Sequence, residues 1–159
     1  MRTASVHEIK QELLTKKPNE LTELCLKLSK FKKENKELLT YLLFEAHNED
    51  AYINEVKKEM DTLFADINFS HLYFVKKSLR KMVRIINKHT RYMGSKQADA
   101  DFRLYFCRLI KDTNIPLEKN TVIKNMYYSQ LEKADSAIQS MHEDLQYDYI
   151  KEWKKLKTP

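Results

Sequence analysis

Seven basic side chains recur between residues 70 and 93, and no acidic residue lies among them. They are Lys76, Lys77, Arg80, Lys81, Arg84, Lys88 and Arg91. At about 100° per residue they would cover one half of an α-helix. Such a surface can bind nucleic-acid phosphates, since each neutralised phosphate releases counterions. These seven residues are therefore the candidate site for binding an anion or a nucleic acid.

The role of these basic side chains depends on what faces them, because like charges four residues apart repel by roughly 0.2–0.5 kcal/mol on an isolated helix. Acidic residues of a neighbouring helix could pair with them, or solvent and counterions could screen them. The candidate acidic partners are Glu55, Glu59, Asp66, Glu143, Asp144 and Asp148. We favour pairing or solvation over phosphate binding, since basic helix faces are common and no recognised nucleic-acid fold is evident. A membrane surface is less favoured, because the apolar half of this helix is more economically buried in the domain.

Five aromatic side chains lie close in sequence to the basic residues. They are Tyr73, Phe74, Tyr92, Tyr105 and Phe106. Exposed aromatic rings beside basic groups could stack on unpaired bases. Tyr73 and Phe106 fall on apolar stripes, so we expect most of the five in the core.

Other residues of the types that catalysis or metal binding requires are poorly spaced for it. The densest group of possible ligands is Glu45, His47, Glu49 and Asp50. It spans a predicted helix end and lacks the pair of histidines, four residues apart, that places two ligands on one helix face. The only glycine, Gly94, cannot form a phosphate-cradling loop, which needs several glycines. Cys25 and Cys107 lie in apolar patterns that bury inert thiols. We expect no enzyme activity, no catalytic residue, no metal site and no cofactor.

The positive charge of the chain is concentrated in its middle third. Residues 70–124 hold 13 basic against 4 acidic residues, a net charge of +9, within a chain whose net charge is +6. This asymmetry keeps nucleic acid among the candidate partners. A basic patch that continued through Lys96, Arg103 and Arg108 would strengthen that hypothesis.

Composition predicts an all-α fold. One glycine and three prolines are too few for the many tight turns of an all-β protein. About seven helices in a single domain, residues 1–159, are expected as an irregular α–α superhelix, with a compact orthogonal helical bundle as the alternative. Capping signals place helix starts at Ser5, Pro18, Asn48, Ser70 and Ser95.

Apolar spacing predicts which helix faces are buried. The second helix would turn inward Leu21, Leu24, Cys25, Leu28 and Phe31. The third helix, 37–47, is apolar nearly all round and is placed at the centre. The fourth would bury Tyr52, Ile53, Val56, Met60, Leu63, Phe64 and Ile67. The fifth would bury Leu72, Val75, Leu79, Met82, Val83 and Ile86, and would end at Gly94. The sixth is also buried on most sides and would end at Asn114 and Pro116.

The C-terminal segment, 121–156, could be one helix of about 50 Å or two helices divided near residues 140–144. A coiled-coil-like spacing joins Tyr127, Leu131, Ala134, Ile138, Met141 and Leu145. It covers few heptads, so we favour an ordinary helix packed on its own domain. A protruding helix that self-associates is the alternative.

The leading functional hypothesis is a non-catalytic helical scaffold or protein-interaction module, which binds a protein partner or self-associates through the C-terminal helix. The alternative is binding of the RNA or DNA backbone through the basic side of helix 70–93. No apolar run could serve as a signal-peptide core or a membrane span, and two cysteines form no disulfide framework. We therefore expect a cytoplasmic protein.

Overall fold

The computed structural model describes residues 2–113, 115 and 117–158. Within them the protein is helical throughout, without strands, which confirms the predicted all-α class. Eight α-helices form there, one more than expected. They are α1 (Val6–Leu14), α2 (Pro18–Phe31), α3 (Lys33–Thr40), α4 (Glu49–Ala65), α5 (Leu72–Met93), α6 (Lys96–Asp112), α7 (Thr121–Gln139) and α8 (Glu143–Lys157), with a π-helical turn at Tyr41–Glu45 and a 3-10 turn at Leu117–Lys119. The chain divides into unit 1, Met1–Glu45, and unit 2, Ala46–Pro159.

Local capping signals determine most helix ends. Ser5 Oγ accepts the backbone N–H of Glu8, and the Glu8 carboxylate accepts the backbone N–H of Ser5, which completes the predicted capping box. The side-chain oxygens of Asn48 and Ser95 cap α4 and α6 by accepting the backbone N–H of Ala51 and Ala98. Gly94 follows α5 with a φ of 62°, a left-handed conformation that favours glycine.

The predicted cap of α5 is wrong. The N-cap residue is His71, whose side chain makes no capping hydrogen bond. Ser70 instead donates its backbone N–H and its hydroxyl to the side-chain oxygen of Asn68, at 2.9 and 2.6 Å. This local turn competes with helix formation and delays the start of α5 to Leu72. Leu72, predicted in the core, is 47% exposed.

Unit 2 is a bundle around α6, which packs against α4, α5, α7 and α8. This confirms that the sixth helix is buried on most sides, although its predicted terminators Asn114 and Pro116 lie outside the described residues. The predicted inward faces of α4 and α5 are largely confirmed. Side chains buried from these two helices include Ile53, Val56, Met60, Phe64, Val75, Leu79, Met82 and Ile86.

The C-terminal segment is two helices. The division falls at residues 140–142, inside the range that the sequence indicated. Tyr127, Leu131, Ala134 and Ile138 of the coiled-coil-like spacing are buried in the core of unit 2. Those four side chains are therefore not an open surface for self-association. The Trp153 indole N–H holds α8 on α7 by donating to the Leu131 carbonyl at 2.9 Å.

A charged hydrogen-bond network crosses the core of unit 2. Arg103 is only 6% exposed. Its Nε donates to Asp99 at 2.7 Å, and its two terminal nitrogens donate to Gln130 at 2.5 Å and Asn87 at 3.2 Å. The Thr90 hydroxyl donates to Asp99 at 3.2 Å. One guanidinium thus joins α5, α6 and α7, which gives Arg103 a structural role.

Unit 1 contains α1, α2 and α3, and here the predicted burial is wrong. α2 packs on α3, and the Asn35 amide donates to the Leu28 carbonyl at 2.9 Å across their junction. Among described residues 2–45, Tyr41 alone is buried. Exposed apolar side chains of α2 and of the predicted central helix include Leu24, Leu28, Phe31, Leu42, Leu43 and Phe44. An apolar pattern identifies the side of a helix that burial would stabilise, but it does not show whether another part of the protein covers that side.

Candidate functional site

The seven predicted anion-binding residues all lie on α5, and together we call them the basic face. Five are exposed, namely Lys77, Arg80, Lys81, Arg84 and Arg91, whereas Lys76 and Lys88 are half-buried. The opposite side of the helix contributes buried aliphatic side chains to the core of unit 2. The 3.6-residue period of the helix therefore places the basic and the aliphatic side chains on opposite sides of α5. Because the aliphatic side packs in the core, the basic face points toward solvent.

Internal acidic residues do not neutralise most of the basic face. Lys76, Lys77, Arg80, Lys81 and Arg84 form no ion pair within the described parts of the chain. Lys88 differs, because it has an interaction partner. The like charges therefore remain adjacent along the helix, with solvent or an external anion to screen them.

None of the six acidic residues predicted as partners forms an ion pair with the basic face in the described residues. Glu59 is 3.7 Å from the Nε2 atom of His89, and Asp144 is 3.3 Å from the Nδ1 atom of His142. The other four form no ion pair in the described residues. Pairing with these acids therefore does not account for the exposed cations.

The positive surface does not continue through all three residues that could have extended it. Lys96 is exposed at the start of α6. Arg103 is buried in its network, and Arg108 donates a hydrogen bond to Glu152 of α8. Of the three, only Lys96 is both exposed and outside an ion pair in the described residues, so the broader patch that would have strengthened a nucleic-acid hypothesis is incomplete.

The predicted burial of Tyr73 is wrong. Its side chain is 66% exposed, although its position was predicted to lie on an apolar stripe. Phe106, for which the prediction was the same, is buried. Tyr73 precedes Lys77 by four residues and Arg80 by seven, spacings that place all three on one side of a helix. That spacing was visible in the sequence and should have identified Tyr73 as part of the basic face.

Phe74 supports the ring of Tyr73. The centroids of the two rings are 5.4 Å apart at an interplanar angle of 77°, an edge-to-face contact. Phe74 is itself 43% exposed, and its ring centroid lies 6.2 Å from that of His71. The start of α5 therefore presents aromatic rings that contact one another while remaining accessible to solvent.

Unit 1 carries a second candidate surface, a groove between α2 and α3 of about 270 Å³. We call it the α2–α3 groove. Its lining residues are Cys25, Leu28, Ser29, Asn35, Leu38, Leu39 and Leu42. Cys25 is exposed, contrary to the prediction of a buried thiol. An apolar groove between two helices can receive an apolar helix face.

Neither surface has the features of a catalytic or metal centre. Among the residues that the structure describes, no group of three or more His, Cys, Asp or Glu side chains could hold a metal ion. Burial raises the pKa of the Cys107 thiol, which keeps it protonated and unreactive.

Within the residues that the structure describes, the helices are all too short or too polar to cross a membrane.

Comparison of the chain with protein-family models, with curated proteins and with solved structures finds no match.

Proposed function

We propose that the protein is a non-catalytic interaction module, which binds an amphipathic helix of a partner protein in the α2–α3 groove. The observation that carries this proposal is the uncovered apolar surface of unit 1. Among the described residues, eleven of the eighteen large apolar side chains that are exposed lie between Val6 and Phe44. Apolar surface of this extent is typical of a protein-binding site. Full burial of each leucine contributes roughly 1.5–3 kcal/mol.

The positive charge near the α2–α3 groove restricts which partner helices could bind there. The end of α2 and the start of α3, residues 27–36, hold five lysines and one glutamate. A partner helix that inserts leucine-like residues into the groove would place its flanking residues near this segment. Acidic flanks would complement the lysines and exclude basic helices. The partner we propose is therefore an acidic amphipathic helix.

Site-specific photo-crosslinking in the full-length chain tests this proposal. A photoreactive amino acid at Leu28 or Leu42 should capture one helical protein, whereas the same group at Thr22, an exposed polar position of α2, should capture none. The captured protein, once purified, should bind wild type and lose about tenfold or more in affinity to Leu28→Asp. Equal capture at all three positions, or unchanged affinity of the variant, would contradict the proposal.

Binding of nucleic-acid phosphate by the basic face is a second candidate function. It is supported by six basic side chains of α5, Arg91 included, that form no ion pair within the described residues. Their mutual repulsion disfavours the free helix, and a row of phosphates would relieve it. The apolar side of α5 is occupied by the core, so phosphate binding would leave the fold of unit 2 unchanged.

Fluorescence anisotropy with labelled RNA and DNA tests the second function. Binding should be detectable at about 50 mM salt and weaken steeply as salt is added. Five exposed cations correspond to a slope of about −4 in a plot of log K against log salt concentration. Absence of binding at 50 mM salt would refute this function and leave the α2–α3 groove proposal untouched.

A further inference from the structure

We propose that Tyr73 stacks on an unpaired base, so that the basic face binds single-stranded rather than double-stranded nucleic acid. This inference rests on the phosphate-binding function proposed above and specifies its substrate. Its starting point is the 66% exposure of the tyrosine side chain in line with exposed cations. A tyrosine buried in the core could not have this role.

Tyr73 lies on the side of α5 that carries the cations. At 100° per residue, Tyr73 lies within about 20° of both Arg80 and Arg84 around the helix axis. Lys77 follows it by one turn on the same side. A strand whose phosphates follow these cations would therefore bring a base over the phenol ring, since bases and phosphates alternate along one chain.

Phe74 helps to hold the ring of Tyr73 in place. The edge-to-face contact with Phe74, at a centroid distance of 5.4 Å, restricts the orientations that Tyr73 can adopt. The phenol ring otherwise remains open to solvent. An exposed ring whose orientation is already restricted can accept a stacked base with little further ordering.

Duplex DNA or RNA fits this surface less well. Bases inside a duplex are already stacked and paired, so Tyr73 could reach one only after unpairing it, which costs a few kcal/mol by itself. The basic face consists of one continuous helix without a second recognition helix before it, since α4 ends at Ala65 and an irregular segment follows. Single strands offer both phosphates and free base surfaces.

A lipid bilayer is the other anionic surface that combines with aromatic residues. A helix that binds a membrane surface inserts its apolar side into lipid while its basic side contacts the headgroups, so the apolar side must be free. The helical period places no aliphatic side chain on the basic face, because Val75, Leu79, Met82 and Ile86 lie on the opposite side and are buried. Leu72, although exposed, lies near the apolar edge. These observations favour nucleic acid over membrane.

Anisotropy with the full-length protein tests the role of Tyr73. We expect wild type to bind a single-stranded 12-mer about tenfold more tightly than the corresponding duplex at the same salt concentration. Tyr73→Ala should bind the single strand about tenfold more weakly, with an unchanged salt dependence, since stacking releases no counterions. Tyr73→Phe should retain wild-type affinity. The matched control is Tyr147→Ala, which removes a 74% exposed tyrosine of α8 and should change nothing.

A spectroscopic measurement separates stacking from a general effect on folding. In Tyr73→Trp the new indole should be quenched when single-stranded DNA is added, whereas wild type, with Trp153 alone, should show little quenching. The inference alone fails if wild type binds nucleic acid but Tyr73→Ala binds the single strand equally well, or if the duplex binds as tightly. If nucleic acid fails to bind at low salt, both the inference and the phosphate-binding function fail. Binding only to vesicles of 70% phosphatidylcholine and 30% phosphatidylserine would also overturn both.

Discussion

Replacing Arg103 with methionine lowers the free energy of unfolding of unit 2 by about 3–5 kcal/mol, the largest effect of a single substitution that we expect. The guanidinium is the partner of Asp99, Gln130 and Asn87 in the core. Methionine fills much of the volume but donates no hydrogen bond. The Asp99 carboxylate, whose side chain is only 15% exposed, then loses its ionic partner. Removing one member of a buried pair costs more than the pair itself contributes.

Urea unfolding followed by Trp153 fluorescence measures this effect, because the only tryptophan of the chain belongs to unit 2. The matched control is Arg108→Met on the same helix. Arg108 also bonds a carboxylate, that of Glu152, but its side chain is 48% exposed, so the loss should stay below about 1 kcal/mol. Adding Asp99→Asn to Arg103→Met should recover part of the loss, because the unpaired charge is gone. Equal losses for the two arginine variants would show that burial of the network does not stabilise unit 2.

Reversing three charges of the basic face, Lys77→Glu, Arg80→Glu and Arg84→Glu together, should weaken nucleic-acid binding by about 100-fold or more at low salt. The slope of log K against log salt concentration should become shallower by about 3, since three phosphate contacts are lost. Anisotropy titrations of wild type and variant over a salt series measure both quantities.

The triple variant should fold normally, which makes its binding defect interpretable. All three residues are exposed, so no buried group loses a partner. Three of the four like-charged pairs spaced by four residues along the basic face become oppositely charged pairs. Each such pair stabilises a helix by about 0.2–0.5 kcal/mol. Circular dichroism should therefore show unchanged or slightly raised helicity.

The control for net charge is a second triple variant, Lys151→Glu, Lys154→Glu and Lys155→Glu. These lysines are exposed on α8, and their reversal changes the net charge of the protein by the same amount. It should reduce affinity far less than the α5 variant. If the two variants lose affinity equally, binding reflects only the overall positive charge, and the basic face is not a site.

The sequence was sufficient for features that depend on neighbouring residues. Ser5, Asn48, Ser95 and Gly94 act at helix ends as predicted, because a cap needs only a side chain within three residues or one permissive backbone position. The apolar periods of α4 and α6 predicted the core of unit 2 for a similar reason. The cap at Ser70 failed where another local bond, to Asn68, competed for the same groups.

Features that depend on distant partners could not be predicted in this way. Arg103 resembled any surface arginine, because the residue that helps to satisfy it, Gln130, follows 27 positions later on another helix. The periodicity of α2 identified an apolar side without showing whether another helix covers it. Tyr73 is a different case, since its spacing from Lys77 and Arg80 was present in the sequence, although the residue was predicted to lie on an apolar stripe.

The two cysteines differ in exposure, so the wild-type chain can be labelled with a thiol reagent at one position. Cys25 is exposed in the α2–α3 groove, whereas Cys107 is buried and its pKa is raised by that burial. Because thiol reagents attack the accessible thiolate, a maleimide dye or a spin label will attach at Cys25 in the folded protein and spare Cys107. The accessible thiol of Cys25 thus provides a probe inside the α2–α3 groove, and its labelling rate reports whether the groove is occupied.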